Sequence, residues 1–209
     1  WHVASRVNTG NLLGLVEEQR LQLVAQVLEL VKRLDPRTPT VVSFDQPWAE
    51  YLSEHDEDLA PVHYADALVR AGLGISGFGL ELNIGYQPGG SAIRPTFEVG
   101  RLLDQWSVWG LPLMISITAP SDYSEDPHAK KGIETLFKEG DVTGPLDYQQ
   151  QWASSILPLL IARSTVQIVL WNQLSDAVPH EFPHGGLFDQ KQKPKPTLDL
   201  MRDLRESLS

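Results

Sequence analysis

Apolar and polar positions follow two rhythms that take turns along this chain. Short runs of period two, at residues 1–7, 40–45, 75–84, 112–118 and 166–170, fit half-buried strands. Between them the apolar spacing lengthens to about 3.6, which predicts helices at 15–34, 61–71, 97–109 and 148–162 and a last one after Pro196. The first helix carries its stripe on Val16, Leu23, Val27, Leu30, Val31 and Leu34, and Asp35-Pro36 stops it. A polar excursion covers 121–144, and Gly140 to Gly144 with Pro145 reads as a loop inside a unit rather than a linker.

Five consecutive strand-helix units imply a parallel sheet with right-handed crossovers, which leaves an open doubly wound sheet or a barrel. No G-x-G-x-x-G or P-loop segment follows any strand, so a nucleotide site lacks its usual cradle and no cofactor is expected. The prediction is therefore a (β/α)8 TIM-barrel fragment of α/β class, with parallel strands and outer helices. At 209 residues the chain holds about five of eight units, taken as units four to eight. The whole of 1–209 is expected to be the C-terminal portion of one domain, and the partner it needs is the missing N-terminal half of the barrel. The chain starts at Trp1 and enters a strand at once, so any leader or earlier domain is expected to have been removed.

Charge and composition narrow the partners. A formal charge of −10 disfavours a phosphate backbone, so no nucleic-acid partner is expected, and a neutral or cationic ligand is easier to host. No apolar run is long enough for a membrane span. The absence of cysteine excludes disulfides and thiolate chemistry and leaves the compartment open.

Candidate chemistry sits at strand ends. In residues 77–84 one parity is Phe78, Leu80, Leu82 and Ile84, and the other is Gly77, Gly79, Glu81 and Asn83. Barrel strands turn their apolar parity toward the helices, so Glu81 and Asn83 should face the lumen at the C-terminal end, where barrel sites lie. The preceding strand puts Val42 and Phe44 outward and ends inward on Asp45, followed by Gln46-Pro47-Trp48. Two carboxylates on adjacent strands, about 5 to 9 Å apart, fit the spacing of paired-carboxylate glycosidases. Glu81 has a plainer alternative, a hydrogen bond to a sugar hydroxyl or an ion pair with Arg6, and Asp45 can simply cap the turn at Gln46-Pro47.

The final stretch carries a more specific signal. Trp171, Asp176, Gly186-Leu187-Phe188-Asp189 and Pro194-Lys195-Pro196 resemble the eighth unit of glycoside hydrolase family 10, the endo-β-1,4-xylanases. The sixth-strand Gly-Leu-Gln-x-His of that family aligns with Gly79-Leu80-Glu81-Leu82-Asn83, gaining an acid and losing an imidazole. Its fourth-strand Trp-Asp-Val-Val-Asn-Glu falls on Trp1-His2-Val3-Ala4-Ser5-Arg6, with Arg6 at the general acid/base. Its seventh-strand nucleophile falls in Ser116-Ile117-Thr118-Ala119, where no carboxylate stands.

The resemblance implies a carbohydrate ligand, xylan-like and β-linked, and a secreted or cell-envelope setting. It does not carry over the family's double displacement, because neither Arg6 nor Ser116 can play the part of its carboxylate. Two readings remain open. One is a hydrolase with a relocated pair, Glu81 and Asp45; the other is an inactive carbohydrate-binding pseudoenzyme. Substrate contacts are assigned to Asn83, Trp171, Trp48, Arg6, Gln173 and Asp176, with indole faces at strand ends suited to sugar C–H faces. Trp106 and Trp109, three apart on a helix, read as packing.

Two segments offer other chemistry. His180-Glu181-Phe182-Pro183-His184 matches the H-E-x-x-H zinc pattern, but that pattern needs a helix and Pro183 with Gly185-Gly186 opposes one, so no metal is assigned. Asp122, Glu125 and Asp126 can reach the barrel mouth, and the surrounding prolines and polar residues make a solvated loop the expected reading.

Overall fold

The computed structural model describes residues 1–10, 13–53, 57–136 and 147–207, so the loop assigned at 140–145 lies outside the described residues. Five strands, β1 (His2–Ala4), β2 (Val41–Asp45), β3 (Gly77–Asn83), β5 (Leu113–Thr118) and β7 (Val166–Trp171), form one parallel sheet in chain order. The connections carry helices α1 (Glu17–Leu34), α2 (Pro61–Arg70), α3 (Thr96–Trp106) and α4 (Tyr148–Ile161), and α5 (Pro196–Ser207) closes the chain. A two-stranded antiparallel arm, β4 (Tyr86–Gln87) with β6 (Glu134–Thr135), was not anticipated from the sequence. By contacts the chain divides into two compact units: residues 1–82, 100–115 and 164–168, and residues 83–99, 116–163 and 169–209.

The first unit is built on β1, β2 and β3. Their outward parity, Phe44, Phe78 and Leu80, is fully buried, and Tyr64, Trp106 and Trp109 complete an aromatic cluster with ring centroids 5.0 to 5.9 Å apart. The packing reading of Trp106 and Trp109 therefore holds. On the opposite face a Cβ at Gly79 would lie 2.5 Å from the Cβ of Ser43, so β2 and β3 approach too closely for any side chain there. Helix α2 starts at a proline, whose missing N–H costs nothing in a first turn.

The buried stripe of α1 differs from the predicted one. Arg20, Val24 and Leu28 face inward, whereas Val16, Leu23, Leu30 and Leu34 are exposed. The core-facing stripe begins with a charged residue, so a reading by apolar letters alone selects the neighbouring one. The guanidinium is kept in place by Glu57 at 2.8 Å. Glu17, in the first turn, accepts the backbone N–H groups of Asp58 and Leu59 at 3.2 and 2.9 Å, which ties the loop after β2 to α1.

In the second unit, Asp147 caps α4 by accepting the N–H of Gln150 at 2.7 Å. Gln149, fully buried, donates from its amide to the carbonyl of Ala119 at 2.8 Å. Helices α4 and α5 pack on each other. Residues 121–136 are not uniformly solvated: Asp126 has a fully buried carboxylate that organises the segment. Burial on its own pushes that carboxyl upward, but hydrogen bonds from the His184 and His128 N–H groups and the nearby imidazoles outweigh it and hold it below the ordinary range. None of the described helices is long and apolar enough to cross a membrane.

Candidate functional site

In the first unit the strand ends gather Arg6, Asn8, Asp45, Gln46 and Glu81. Asp45 and Glu81 are Cα partners in the β2–β3 ladder, so their side chains project to the same face from points about 4.8 Å apart. Arg6 brings Nε and a terminal nitrogen to the same oxygen of Glu81, each at 2.8 Å, with both side chains only partly exposed. Asp45 is 3% exposed and receives the N–H of Gln46 on its carboxylate at 2.8 Å, the turn-capping geometry.

Asn8 escaped the sequence reading. Its buried amide donates to the Asp45 carbonyl at 2.7 Å and accepts the Asp45 N–H at 3.0 Å, clamping the end of β2 as a neighbouring backbone would. Among the described residues of this unit, Arg6 at 50°, Gln46 at 43° and Ala49 at 67° take positive φ. Such strain collects at functional strand ends because surrounding contacts must hold it in place. Trp48 lies between two of them and is half-buried.

The second unit holds the remaining predicted residues. Asn83 is fully buried, and its side-chain oxygen accepts from the amide of Asn172 at 3.3 Å. Trp171 is partly exposed and anchored by its indole N–H, which donates to the Gly185 carbonyl at 2.8 Å. Gln173 and Asp176 are turned inward. Gln173 donates to an Asp176 oxygen and to the Phe182 carbonyl, each at 3.1 Å. Asp176 also accepts the Gly186 N–H at 2.7 Å and pairs with Lys195 at 2.5 Å. Their polar atoms thus serve the loop that joins β7 to α5.

The same network explains two motifs. Lys195, from Pro194-Lys195-Pro196, donates also to the His184 carbonyl at 2.9 Å, which pins the last turns before α5. His180 to His184 forms a bridge and turns instead of a helix. One ring nitrogen of His180 lies 3.0 Å from Asp126 and the other 2.8 Å from the Val178 carbonyl, while His184 bonds to the Ser124 carbonyl at 2.9 Å.

Asp126, Asp176 and His184 do present oxygen and nitrogen atoms within 4.8 Å of one another, a metal-like grouping. Every carboxylate oxygen in it is already engaged: Asp126 by the His184 and His128 N–H groups, His180 and Gln190, and Asp176 by Gln173, Gly186 and Lys195. Lys195 adds its own positive charge on Asp176, and these contacts make the cluster an internal network of hydrogen bonds and an ion pair.

Tyr86 packs on Phe182 with centroids 4.8 Å apart, and burial pushes its phenol well above the ordinary value. Two cavities lie in the same unit. One, of about 630 Å³, is bounded by the loop after β5 and by β6; the other, of about 370 Å³, includes Asp147, Asp176 and Asp189. Burial raises the Asp147 carboxyl against the opposing pull of the Gln150 N–H and Lys195.

A xylanase of family 10 from Thermobacillus composti superposes with a TM-score of 0.57 at 13% identity, over 95% of this chain and 60% of its own. A family 2 β-galacturonidase from Eisenbergiella tayi, bound to galacturonate, gives 0.58 at 18%, over 92% of this chain and 31% of its own. Xylanase A of P. fluorescens subsp. cellulosa, in complex with xylopentaose, gives 0.54 at 12%, over 87% and 54%. The likeness shows the fold, a five-stranded parallel sheet with flanking helices that matches part of a TIM barrel. The chain thus spans between about a third and three fifths of the length of these structures. No family model matches the sequence, and no curated protein matches it.

Proposed function

We propose that this chain contributes the glycan-binding part of a glycoside-hydrolase-type barrel, and that its ligand is a β-linked, xylan-like oligosaccharide bound without turnover. The observation that carries the reading is the Arg6–Glu81 pair. At the position aligned with the acid/base of family 10 the chain carries a guanidinium, and that guanidinium is locked on the carboxylate of β3. Such a pair presents fixed donors beside fixed acceptors, which suits ring hydroxyls and holds them without a proton transfer. The comparisons support a glycan as ligand class, since two of the similar structures hold galacturonate and xylopentaose. On this reading residues 1–209 belong to one domain with the rest of the barrel, and Trp48, in the same unit as the Arg6–Glu81 pair, flanks the ligand.

A second reading, hydrolysis by a relocated Glu81–Asp45 pair, is favoured by one observation, their in-register pairing on adjacent strands. Calorimetric titration of the full-length protein with xylohexaose, together with turnover of a β-glycan panel, separates the two. Under the binding reading Arg6→Ala and Glu81→Gln each weaken affinity about tenfold and no turnover is seen. Turnover that drops by orders of magnitude in Glu81→Gln with affinity retained establishes the hydrolase reading instead. Absence of binding to any β-glycan refutes both.

A further inference from the structure

We propose a second glycan-contact site on the loop after β5, made from the two cavities of the second unit and selective for a neutral β-linked oligosaccharide; the inference rests on the glycan reading above and adds a place and a ligand charge to it. The cavities, about 630 and 370 Å³, share Ser124 and Glu125 in their walls and so lie side by side along one loop. Each volume falls within the range of small-molecule sites.

Three features select the ligand. Tyr123, 52% exposed, lines the larger cavity and supplies an aromatic ring of the kind that packs on sugar C–H faces. Glu125, Lys131 and Glu134 line it too and have no side-chain partner among the described residues. Acceptors and an ammonium donor together match hydroxyls, each of which both donates and accepts. The lining sets Glu125 and Glu134 against Lys130 and Lys131, so the wall charges balance and favour neither an anion nor a polycation.

The walls are held before any ligand arrives. Ala129 and His180 form a bridge, and Lys130 N–H to His180 carbonyl and His180 N–H to His128 carbonyl bonds of 2.9 and 3.1 Å reinforce it. The buried Asp126 carboxylate fastens the same turn to His180 and His184. On the far side Glu134 is fixed by the β4–β6 arm, so the donors and acceptors sit on a preorganised frame.

The test is titration of the full-length protein with xylohexaose, with inorganic phosphate and an oligogalacturonate as charged probes. Tyr123→Ala should weaken hexaose binding about tenfold, Tyr123→Phe should retain it, and Glu125→Gln with Glu134→Gln should weaken it severalfold. These side chains are exposed or cavity-lining, and circular dichroism confirms that each variant is folded. Hexaose binding that is lost in Arg6→Ala but unchanged in Tyr123→Ala and in the double Gln variant overturns this site and leaves the strand-end reading standing. Tighter binding of phosphate or oligogalacturonate than of xylohexaose overturns the ligand class. No hexaose binding by the unaltered protein overturns the site and the glycan reading together.

Discussion

Replacing Lys195 by Met tests whether the Pro194-Lys195-Pro196 motif works through its buried ion pair. The ammonium lies 2.5 Å from Asp176 and 2.9 Å from the His184 carbonyl, with side chains 9% and 1% exposed. At that separation and an effective dielectric near 20 the gross attraction is about 7 kcal/mol, and desolvating two ions offsets most of it. The net worth of the pair is therefore small, yet removing one member is costly, because the other stays buried and charged. Met keeps the aliphatic stem and deletes the charge, which leaves Asp176, among the described residues, with the Gly186 N–H and the Gln173 amide. The expected loss is about 3–5 kcal/mol. Adding Asp176→Leu removes the stranded charge and should recover part of that loss, leaving about 1–3 kcal/mol for the Gly186 N–H that no longer has an acceptor. Urea unfolding of the full-length protein, compared at unchanged m, reads both values. A loss below about 1 kcal/mol for Lys195→Met, the size of an exposed pair, refutes the argument.

Other outcomes follow from single contacts. Gly79→Ala places a Cβ 2.5 Å from the Cβ of Ser43 and 3.1 Å from Met114 Cε, and should cost about 1–3 kcal/mol in thermal unfolding, partly restored by Ser43→Gly. Asp35 is held at a pKa of about 2 by the Thr38 hydroxyl first and then by the Trp1 indole N–H. A carboxyl lowered on folding stabilises above its unfolded value of about 3.9, and that contribution disappears as the pH falls through the folded value. The Trp1 anchor should therefore release near pH 2 in a carboxyl-detected NMR titration, and release near pH 4 would contradict the geometry.

The fold was legible because two periodicities and their breaks are local properties. The five strand runs and four of the helices begin and end within a few residues of their predicted bounds, and the parity of residues 77–84 already separates the buried Phe78, Leu80 and Leu82 from Glu81. What escaped depends on distance along the chain or on too few residues. The β4–β6 arm has two residues per strand, too short to show any period. The face of α1 is set by Arg20 meeting Glu57, 37 positions away, and Asp126 is buried by the His184 N–H, 58 positions away. Neither partner announces itself locally, and a loop rich in Pro and Asp reads as solvated until its partner is known.

Candidate residues divide by the same logic. Glu81 and Arg6 stand 75 positions apart, and their pairing was visible only as one alternative among others, since inward parity tells which face a side chain takes but not what it meets there. Gln173 and Asp176 follow Trp171 closely in sequence, but their burial and their hydrogen bonds to Gly186, Phe182 and Lys195 depend on a turn that no local pattern announces. Asn8 gave no motif, yet it brackets both backbone groups of Asp45. A sheet needs none of this: β2 could end on any residue with an ordinary turn. That it ends on a buried Asp45, clamped by Asn8 and followed by Gln46 at positive φ, means that specific contacts hold this strand end in a conformation the chain would not otherwise keep. Strain of that kind persists where surrounding contacts over-determine one geometry, and under the proposed glycan reading it would hold guanidinium, carboxylate and amide groups in a rigid array toward ring hydroxyls.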